Sequence, residues 1–396
     1  MRKIFSKIAP FIVLLTAWFI AMKSEGMGIA MRSLLDVLPY VFALLSIVLS
    51  IWFQNSNYFF YSCFILVAYM FMSATSDKSP VIIEITKNLS VFLPVNALWL
   101  NFSQERGITS SYGRNKAIVI SAQMIWLLII AIGKSKISAS EAADQAVINL
   151  KVPAIALFIL CIFVLFMDYL LRSRYSSLIY VAILCTSFIT LHFAHRPVIV
   201  AVFTTASFVI ILMALLEISY SLAFYDSLTG VLSRRALEQE LLKLGNRYCI
   251  AIIDIDHFKH INDNFGHDVG DEVLKMIAAV LCQEAGKSKV FRYGGEEFVV
   301  LFTGMSYNNV VNELDKIRRT IAQRSFILRD KNRPREKPKT VFRNVSNSDK
   351  SSINITVSIG VAQKNSQLKT PYDVIKKADE ALYKSKNSGR NCITKA

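Results

Sequence analysis

Charged residues are scarce in this chain of 396 residues, in which 19% are Asp, Glu, Lys or Arg while 53% are hydrophobic. Together with a mean hydropathy of +0.41, this composition excludes an ordinary soluble protein. The charge is also unevenly placed, because residues 218–396 hold 29 of the 45 Lys and Arg and 20 of the 29 Asp and Glu. The composition predicts a multi-pass α-helical membrane part over residues 1–217, followed by a water-facing part.

Paired cysteines are missing as well. The six cysteines are scattered and form no Cys-x-x-Cys pair, which excludes a disulfide-stapled secreted fold and gives no support to a structural zinc site. A net charge of +16 suits either nucleic acid or anionic lipid. Because the basic residues are not interleaved with aromatic residues, we predict contact with the lipid bilayer and none with nucleic acid.

Long uncharged apolar runs, which lipid forces to be helical, occur eight times in the first part. They lie at 8–22, 37–53, 58–76, 88–103, 117–133, 152–171, 176–194 and 198–216. The first has the basic start of a signal peptide but no small-residue cleavage site, so a retained anchor is the better interpretation. The fourth is interrupted by Asn88, Pro94 and Asn96, and a re-entrant segment is its alternative.

The orientation of these spans does not follow from charge, because Lys and Arg divide equally between the two sets of predicted loops. We expect both termini on the cytoplasmic side of a bacterial inner membrane, since the chemistry argued below needs an intracellular nucleotide. Asp168 and His192 fall near the ends of their spans, where a polar side chain can mark a ligand or proton site. Placement of both side chains at the membrane interface is the simpler interpretation.

Beyond residue 217, short β-rich runs alternate with helical periodicity. The predicted strands are Cys249–Asp254, Lys289–Tyr293, Phe298–Phe302 and Asn354–Ala362, and the predicted helices are Asp268–Glu284, Asn308–Arg324 and Pro371–Lys386. The pattern predicts one α/β domain over 226–396, joined to the membrane part by a short helical linker at 218–225. That linker is too short for a coiled-coil stalk.

Acidic residues mark two places in this domain. The dipeptide Gly294-Gly295 predicts a hairpin whose tip carries Glu296 and Glu297, although an acidic tip taken alone is more often merely solvated. The predicted strand Cys249–Asp254, earlier in the chain, ends in Asp254. Strand alternation puts Asp256 on the same face as Asp254. If the two places meet, Asp254 and Glu296 can share a hard cation such as Mg²⁺.

A polar run follows between the predicted elements. This run contains Asn262, His267 and Asp271. Asp268 is the expected N-cap residue of the next helix. Each of these residues has a turn or capping interpretation as good as a functional one when it is taken alone.

In combination the motifs are more specific. Along the chain come Asp226-Ser-Leu-Thr-Gly, Asp254-Ile-Asp-His-Phe-Lys, Asn262 with Phe265-Gly-His and Gly270-Asp271, Arg292-Tyr-Gly-Gly-Glu-Glu-Phe, Ser358-Ile-Gly-Val-Ala, Ala378-Asp-Glu-Ala-Leu-Tyr-Lys and Ser388-Gly-Arg-Asn. In this order and spacing, from Ala223 to about Cys392, they closely resemble the GGDEF family of diguanylate cyclases, with Glu in place of the family's Asp.

The resemblance implies a ferredoxin-like palm domain that works as a homodimer. Each subunit would bind one GTP and two Mg²⁺ ions, for which Mn²⁺ can substitute, and the two GTP molecules would be condensed into cyclic di-GMP with release of pyrophosphate. The dimer would depend on the membrane helices, since a stalk is missing. A ligand or partner of the membrane part would control the activity.

The resemblance also implies roles for individual residues. Asp254, the carbonyl of Ile255 and Glu296 would bind the metal, with Glu296 also accepting the proton and Glu297 supporting the second metal or the triphosphate. The remaining roles would be guanine binding by Asn262 and Asp271, substrate holding by His267, charge neutralisation by Lys259 and terminal phosphate binding by Lys386 and Arg390.

Two departures from the family pattern stand out. The position of the Arg-x-x-Asp product-inhibition motif reads Ala285-Gly286-Lys287-Ser288, so we expect no inhibitory site. A basic Pro-, Ser- and Asn-rich insertion at 329–350 predicts a loose loop, either plainly solvated or in contact with anionic lipid.

Two other classes of function remain open. The domain could be a catalytically silent module that binds GTP or cyclic di-GMP, although its Gly-Gly-Glu-Glu-Phe is intact. The membrane part could be a transporter with a nucleotide-regulated tail, although no transport motif supports this.

Overall fold

The computed structural model describes residues 2–74, 80–134, 150, 152–327 and 352–396. The predicted insertion at 329–350 lies outside these residues. The chain divides into two compact units, Met1–Ser219 and Tyr220–Ala396.

The first unit is helical throughout its described part, with one short 3-10 turn at Ser24–Gly26. Its helices are α1 (Arg2–Met22), α2 (Ile29–Trp52), α3 (Ser56–Ala74), α4 (Pro80–Phe102), α5 (Ser111–Lys134), α6 (Val152–Arg172), α7 (Tyr175–His192) and α8 (Pro197–Phe224). The predicted segment 218–225 is helical as far as Phe224, as the last turns of α8.

Six of these helices are long and apolar enough to cross a membrane, which makes this a membrane-anchored protein. They are α2, α3, α5, α6, α7 and α8. Helices α1 and α4 are not among the six, and the apolar part of α1 is limited to Ser6–Met22. Counted over the described residues, six of the eight predicted spans therefore have the length and composition of a membrane span.

Helix α4 lies at the centre of the first unit, in contact with α3, α5, α6 and α7. Its polar side chains bond to those neighbours: Asn96 Nδ2 donates to Gln123 Oε1 at 2.6 Å, and Asn101 Nδ2 donates to Ser177 Oγ at 3.0 Å. Neighbouring helices, and not lipid, satisfy these groups, which explains how the polar side chains of α4 are accommodated. The helix has no break of the kind that a re-entrant segment requires.

Asp168 is buried inside the helical unit, with 7% of its surface exposed. It accepts a hydrogen bond from Ser177 Oγ at 2.6 Å, and its Oδ1 lies 3.6 Å from Arg172 and 3.9 Å from Arg174. Asp168 is therefore held by protein groups, and its placement at the membrane interface stays a prediction. The ring of His192 stacks on Phe188, with 5.9 Å between the ring centroids.

The second unit is an α/β domain. Its strands are β1 (Leu232–Ser233), β2 (Tyr248–Ile255), β3 (Lys289–Arg292), β4 (Glu297–Thr303), β5 (Ser325–Ile327), β6 (Ser352–Asn354), β7 (Val357–Gln363) and β8 (Ile393–Lys395). Its helices are α9 (Arg234–Leu241), α10 (Phe258–Phe265), α11 (His267–Glu284), α12 (Tyr307–Gln323) and α13 (Pro371–Asn387).

Six strands form one mixed sheet in the order β1-β3-β4-β2-β7-β8, and β5 pairs with β6 in a small separate sheet. The sequence β2-α11-β3-β4-α12-β7 gives the strand order of a ferredoxin-like βαββαβ unit, as the resemblance implied. The predicted strand Asn354–Ala362 is divided into β6 and β7. The division arises because β6 pairs with β5 whereas β7 pairs with β2, so the chain changes partner at Ile355 and Thr356.

The central strand β2 is buried along its whole length, and its side chains alternate between two cores. Ala251 and Ile253 pack into the core that contains α11 and α12, while Ile250 and Ile252 pack into the core that contains α9 and α13. Burial on both faces fixes the register of β2, and the position of its carboxyl end with it.

Helix α13 approaches β7 closely at Gly360. A Cβ added at Gly360 would lie 2.1 Å from the carbonyl oxygen of Ala378 and 2.2 Å from the amide nitrogen of Leu382. Only glycine fits there, and this close approach carries the end of α13 to the carboxyl end of β2.

We predict that Gly360→Ala lowers the free energy of unfolding by about 1–3 kcal/mol, the range typical of overpacking, because backbone atoms must move. Gly245→Ala is the matched control, since its Cβ would meet no heavy atom within 4 Å. Differential scanning calorimetry of the full-length protein compares the two. Equal unfolding temperatures would contradict the close approach of α13 to β7.

Candidate active site

Carboxylates gather where β2 ends beside the β3-β4 hairpin. Asp254 lies in register with Glu297 across the antiparallel β2-β4 pair, and Glu296 precedes Glu297 at the hairpin tip. The two acidic places that the sequence predicts are therefore brought together. Asp254 is 4% exposed, while Glu296 and Glu297 are half-buried.

Burial raises the pKa of all three carboxylates. Burial and then the charge of Asp254 raise the pKa of both Glu296 and Glu297 above the usual glutamate value. Burial likewise raises the pKa of Asp254, against the opposing effect of Lys386. Three carboxylates that resist carrying charge together are the oxygen donors that a hard divalent cation prefers, so these residues fit Mg²⁺.

Lys386, near the end of α13, takes part in this cluster. Its Nζ lies 2.8 Å from Asp254 Oδ2, so the lysine expected to hold phosphates acts here as the counterion of a predicted metal ligand. Among the described residues, no three His, Cys, Asp or Glu side chains form a ready-made metal cage. The predicted set of Asp254, Glu296 and the carbonyl of Ile255 contains only two such side chains.

A latch formed by Arg292 and Asp226 holds the glycine hairpin. The guanidinium of Arg292 donates to the carbonyl oxygen of Gly295 at 2.7 Å and to Asp226 Oδ1 at 3.0 Å. Asp226 also accepts from the amide and the hydroxyl of Thr229, at 2.8 and 2.6 Å. Burial alone would raise the pKa of Asp226, but the hydrogen bonds from Thr229 and Arg292 lower it below its usual value.

Asp226 and Arg292 both belong to the motifs that resemble the family, but neither residue has a predicted role. Because the two residues lie far apart in the chain, no local pattern predicts that they pair. The latch fixes the hairpin tip that carries Glu296.

Asp256 lies just beyond the end of β2 and has a different set of partners from Asp254. It accepts from Thr356 Oγ1 at 2.7 Å, Ser358 Oγ at 2.6 Å and the amide of Asn391 at 3.1 Å. Because Asn391 follows Arg390, these bonds hold the turn that carries the predicted phosphate-binding arginine. We infer that Asp256 is a positioning residue for that turn.

The same turn has an uncommon backbone. Arg390 and Asn391 both have positive φ angles, of 62° and 45°, in the left-handed region that side chains disfavour. Arg318 donates to the carbonyl oxygen of Asn391 at 3.1 Å and to its side chain at 3.0 Å. Hydrogen bonds from two directions therefore hold an unfavourable backbone in place.

Helices α10 and α11 carry the remaining predicted residues. A Cβ added at Gly270 would lie 1.9 Å from Asn262 Oδ1, so this glycine lets the amide of Asn262 lie against α11, next to Asp271 in the chain. Lys259, His267 and Asp271 are exposed. Within the part of the chain that the structure describes, no hydrogen bond or ion pair links these three to the carboxylates.

The start of α11 differs from expectation. Gly266 is the N-cap residue, with a φ of 87°, while Asp268 lies in the first turn. The prediction of Asp268 as the cap is wrong, because Gly266 takes the sharp bend between α10 and α11.

We predict that Glu297→Gln stabilises the protein in the absence of nucleotide and metal at pH 7. The folded state raises the pKa of Glu297, so its charge destabilises the fold at neutral pH and this cost disappears as Glu297 takes up a proton. The gain should therefore shrink as the pH falls through the raised pKa towards the ordinary glutamate value. Calorimetric unfolding from pH 7 to pH 4.5 measures it, and a gain that grows towards acid would contradict the assignment.

The second unit matches a known protein family. The family model described as "Diguanylate cyclase, GGDEF domain" matches residues 223–341 and 336–392. The response regulator PleD of Caulobacter vibrioides is 34% identical over 186 residues, covering 45% of this chain and 37% of that protein. The diguanylate cyclase VdcA of Vibrio cholerae is 34% identical over 179 residues, covering 43% of this chain and 46% of that protein.

Among solved structures, the coiled coil and GGDEF domain of DgcB from Caulobacter crescentus, in complex with c-di-GMP, has 33% sequence identity and a TM-score of 0.39. The match covers 47% of this chain and 92% of that chain. The chain spans less than half the length of the two curated relatives, and its family match lies within the second unit.

Proposed function

We propose, from the premise that residues 223–392 form a GGDEF domain, that this protein is a diguanylate cyclase under the control of its membrane unit. It condenses two GTP molecules into cyclic di-GMP and releases two pyrophosphates. The observation that carries this proposal is the meeting of Asp254, Glu296 and Glu297 beside a latched glycine hairpin. A silent module that binds only cyclic di-GMP has no need of such a cluster.

Phosphoryl-type transfer requires alignment and charge stabilisation more than covalent chemistry from the protein. Mg²⁺, held by Asp254, Glu296 and the carbonyl of Ile255, would supply charge neutralisation on the phosphates and a lower pKa for the attacking hydroxyl. Glu296 accepts the proton of that hydroxyl, which suits a carboxylate whose pKa is raised by its surroundings. Glu297 supports the triphosphate side of the site.

Basic residues hold the other end of the substrate. Lys386 turns from Asp254 to the terminal phosphates when the substrate binds, and Arg390 contacts them from the turn that Asp256 holds. Lys259 neutralises charge that develops on the phosphates. These residues keep the triphosphate in line with the attacking group.

Guanine recognition belongs to Asn262 and Asp271. The carboxylate of Asp271 accepts from the guanine amide and amine, whereas adenine offers no matching pair of donors. His267 helps to hold the nucleotide. The space that Gly270 leaves for the side-chain amide of Asn262, next to Asp271 in the chain, supports a guanine site formed by these two residues.

The reaction joins two nucleotides, so each site contributes one GTP and the enzyme works as a homodimer. The first unit anchors the protein in the bacterial inner membrane with the cyclase domain in the cytoplasm, where GTP is present. Because no long coiled-coil segment precedes the domain, the membrane helices bring the two copies together.

The direct test is Glu296→Gln in the full-length protein with GTP and Mg²⁺. We predict a loss of cyclic di-GMP formation of about 100-fold or more, the scale of losing one preorganised electrostatic group, with membrane insertion intact. Identification of the product by mass spectrometry and measurement of initial rates provide the readout. Glu313→Gln on α12 is the control and keeps the wild-type rate, while a rate for Glu296→Gln near wild type would overturn the assignment of Glu296.

A second prediction concerns feedback by product. The segment Ala285–Ser288 offers neither a guanidinium nor a carboxylate for the phosphates and guanine edges of cyclic di-GMP, and Ala285 is itself 6% exposed at the end of α11. We expect only weak competitive inhibition when initial rates are followed against added product. Potent noncompetitive inhibition at low micromolar product would reveal a second site.

A further inference from the structure

A polar cavity of about 390 Å³ lies at one end of the helical unit. Its walls come from the starts of α3 and α7 and the ends of α4 and α8, including Asn57, Asn101, Arg174 and Ile218. Helices that run in opposite directions share this end, which is also the end at which α8 leaves the unit. A cavity of this volume fits a small ligand.

Glu105 lines one wall, and the buried side chain of Lys116, whose Nζ lies 3.9 Å from the Glu105 carboxylate, engages hydrogen-bond acceptors of the same region. Lys116, 2% exposed, donates to Ser56 Oγ at 2.8 Å, Asn57 Oδ1 at 2.6 Å and the carbonyl oxygen of Gln104 at 3.0 Å. Glu105 accepts from the amides of Ser56 and Asn57, at 3.0 and 2.9 Å, and so caps the start of α3. Lysine and glutamate are both satisfied within the protein.

The same bonds fix which way the asparagine amides point. The oxygen of Asn57 is committed to Lys116, and the oxygen of Asn55 accepts from the amide of Tyr58 at 3.0 Å. An asparagine has two donor hydrogens on its nitrogen. Among the residues that the structure describes, the side-chain nitrogens of Asn55 and Asn57 have no hydrogen-bond partner. Both side chains can therefore still donate hydrogen bonds.

Positive charge lies at the same cavity. Arg174 lines it with a side chain that is 42% exposed and 3.9 Å from Asp168, too far for a hydrogen bond. Arg174 is also the N-cap residue of α7, but its side chain makes no capping hydrogen bond. The first backbone amides of that 18-residue helix therefore point out of its end without a partner from the N-cap side chain. Asp168 is shared with Arg172, so two guanidinium groups face one carboxylate here.

One buried hydroxyl completes the set. Tyr180 lines the cavity and is 1% exposed, and its hydroxyl has no partner within the described residues. A buried polar group without a partner is uncommon in a folded protein, and this inaccessible hydroxyl becomes available to a ligand only when its surroundings move.

We propose that this cavity is a binding site for a small oxyanion, a carboxylate or a phosphate. The wall offers a guanidinium, amide N–H groups and a helix start, whereas the side-chain oxygens of Asn55, Asn57 and Glu105 already accept hydrogen bonds from the protein. The anion comes either from a soluble metabolite or from a lipid headgroup. Ile218 of α8 contacts the same cavity, so occupancy alters the helix that continues to Phe224 and, resting on the proposed function, the rate of the cyclase.

The test uses full-length protein in nanodiscs and needs no turnover. All four tryptophans, Trp18, Trp52, Trp99 and Trp126, lie in the first unit, so tryptophan fluorescence during heating reports on that unit alone. In neutral phosphatidylcholine nanodiscs we expect inorganic phosphate or succinate, against potassium chloride of equal ionic strength, to raise the unfolding midpoint saturably. A second set of nanodiscs contains phosphatidylglycerol, and a midpoint already raised there, with no further effect of phosphate, identifies the headgroup as the source.

Arg174→Gln and Arg172→Gln are the matched pair, because both arginines face Asp168 but only Arg174 lines the cavity. Arg174→Gln should raise the apparent dissociation constant about tenfold or more, the scale of one lost charge-assisted hydrogen bond, while Arg172→Gln keeps the wild-type value. Equal effects of the two variants, stabilisation by tetramethylammonium in place of oxyanions, or no saturable effect in any nanodisc would overturn the site.

Initial cyclase rates at the half-saturating anion concentration separate the two proposals. A rate that changes in the wild type and not in Arg174→Gln supports control from this cavity, and an unchanged wild-type rate overturns that control. Anion binding in a protein that makes no cyclic di-GMP would overturn the proposed function and leave the site intact.

Discussion

Negative charge without enough compensation, at the end of one buried strand, is the constraint on which the second unit depends. Burial of β2 on both faces fixes Asp254 in a place with little water, opposite Glu297. Lys386 is the nearest counterion, and the close approach of α13 to Gly360 brings it there. The fold therefore holds an arrangement that costs stability, a cost that a cation and a substrate would offset under the proposed function.

Five acidic residues close to one another in this unit have different properties because their partners differ. Asp226 and Asp256 accept hydrogen bonds from groups that the fold places around them. Asp226 thereby stabilises the glycine hairpin, and Asp256 stabilises the turn at Arg390. Asp254, Glu296 and Glu297 have far less compensation, and their pKa values rise. The division into structural and chemical acids follows from hydrogen bonding rather than from residue type.

The sequence predicts much of this site because its signals are local. A buried strand that ends in aspartate and a Gly-Gly turn followed by two glutamates are visible within a few residues, and the register of β2 with β4 brings them together as expected. The latch between Asp226 and Arg292 depends on residues far apart in the chain, and a strand that changes partner, as at β6 and β7, has no local signal. Hydropathy alone likewise misses that α4 is surrounded by protein, since a sequence does not state what surrounds a helix.

The two units can be compared by asking which hydrogen-bonding capacity each leaves unused. At the end of β2 the unused groups are carboxylate oxygens, which calls for a cation. At the cavity of the helical unit, Lys116 occupies the oxygen of Asn57 and Glu105 accepts from the start of α3, while the asparagine nitrogens and the guanidinium of Arg174 remain as donors. A buried polar network stabilises only when all of its members are paired, so an excess of one kind indicates the chemistry of the missing partner. By this reasoning the ligand of the membrane unit is an oxyanion, although nothing in the local sequence around Asn57 or Arg174 names it.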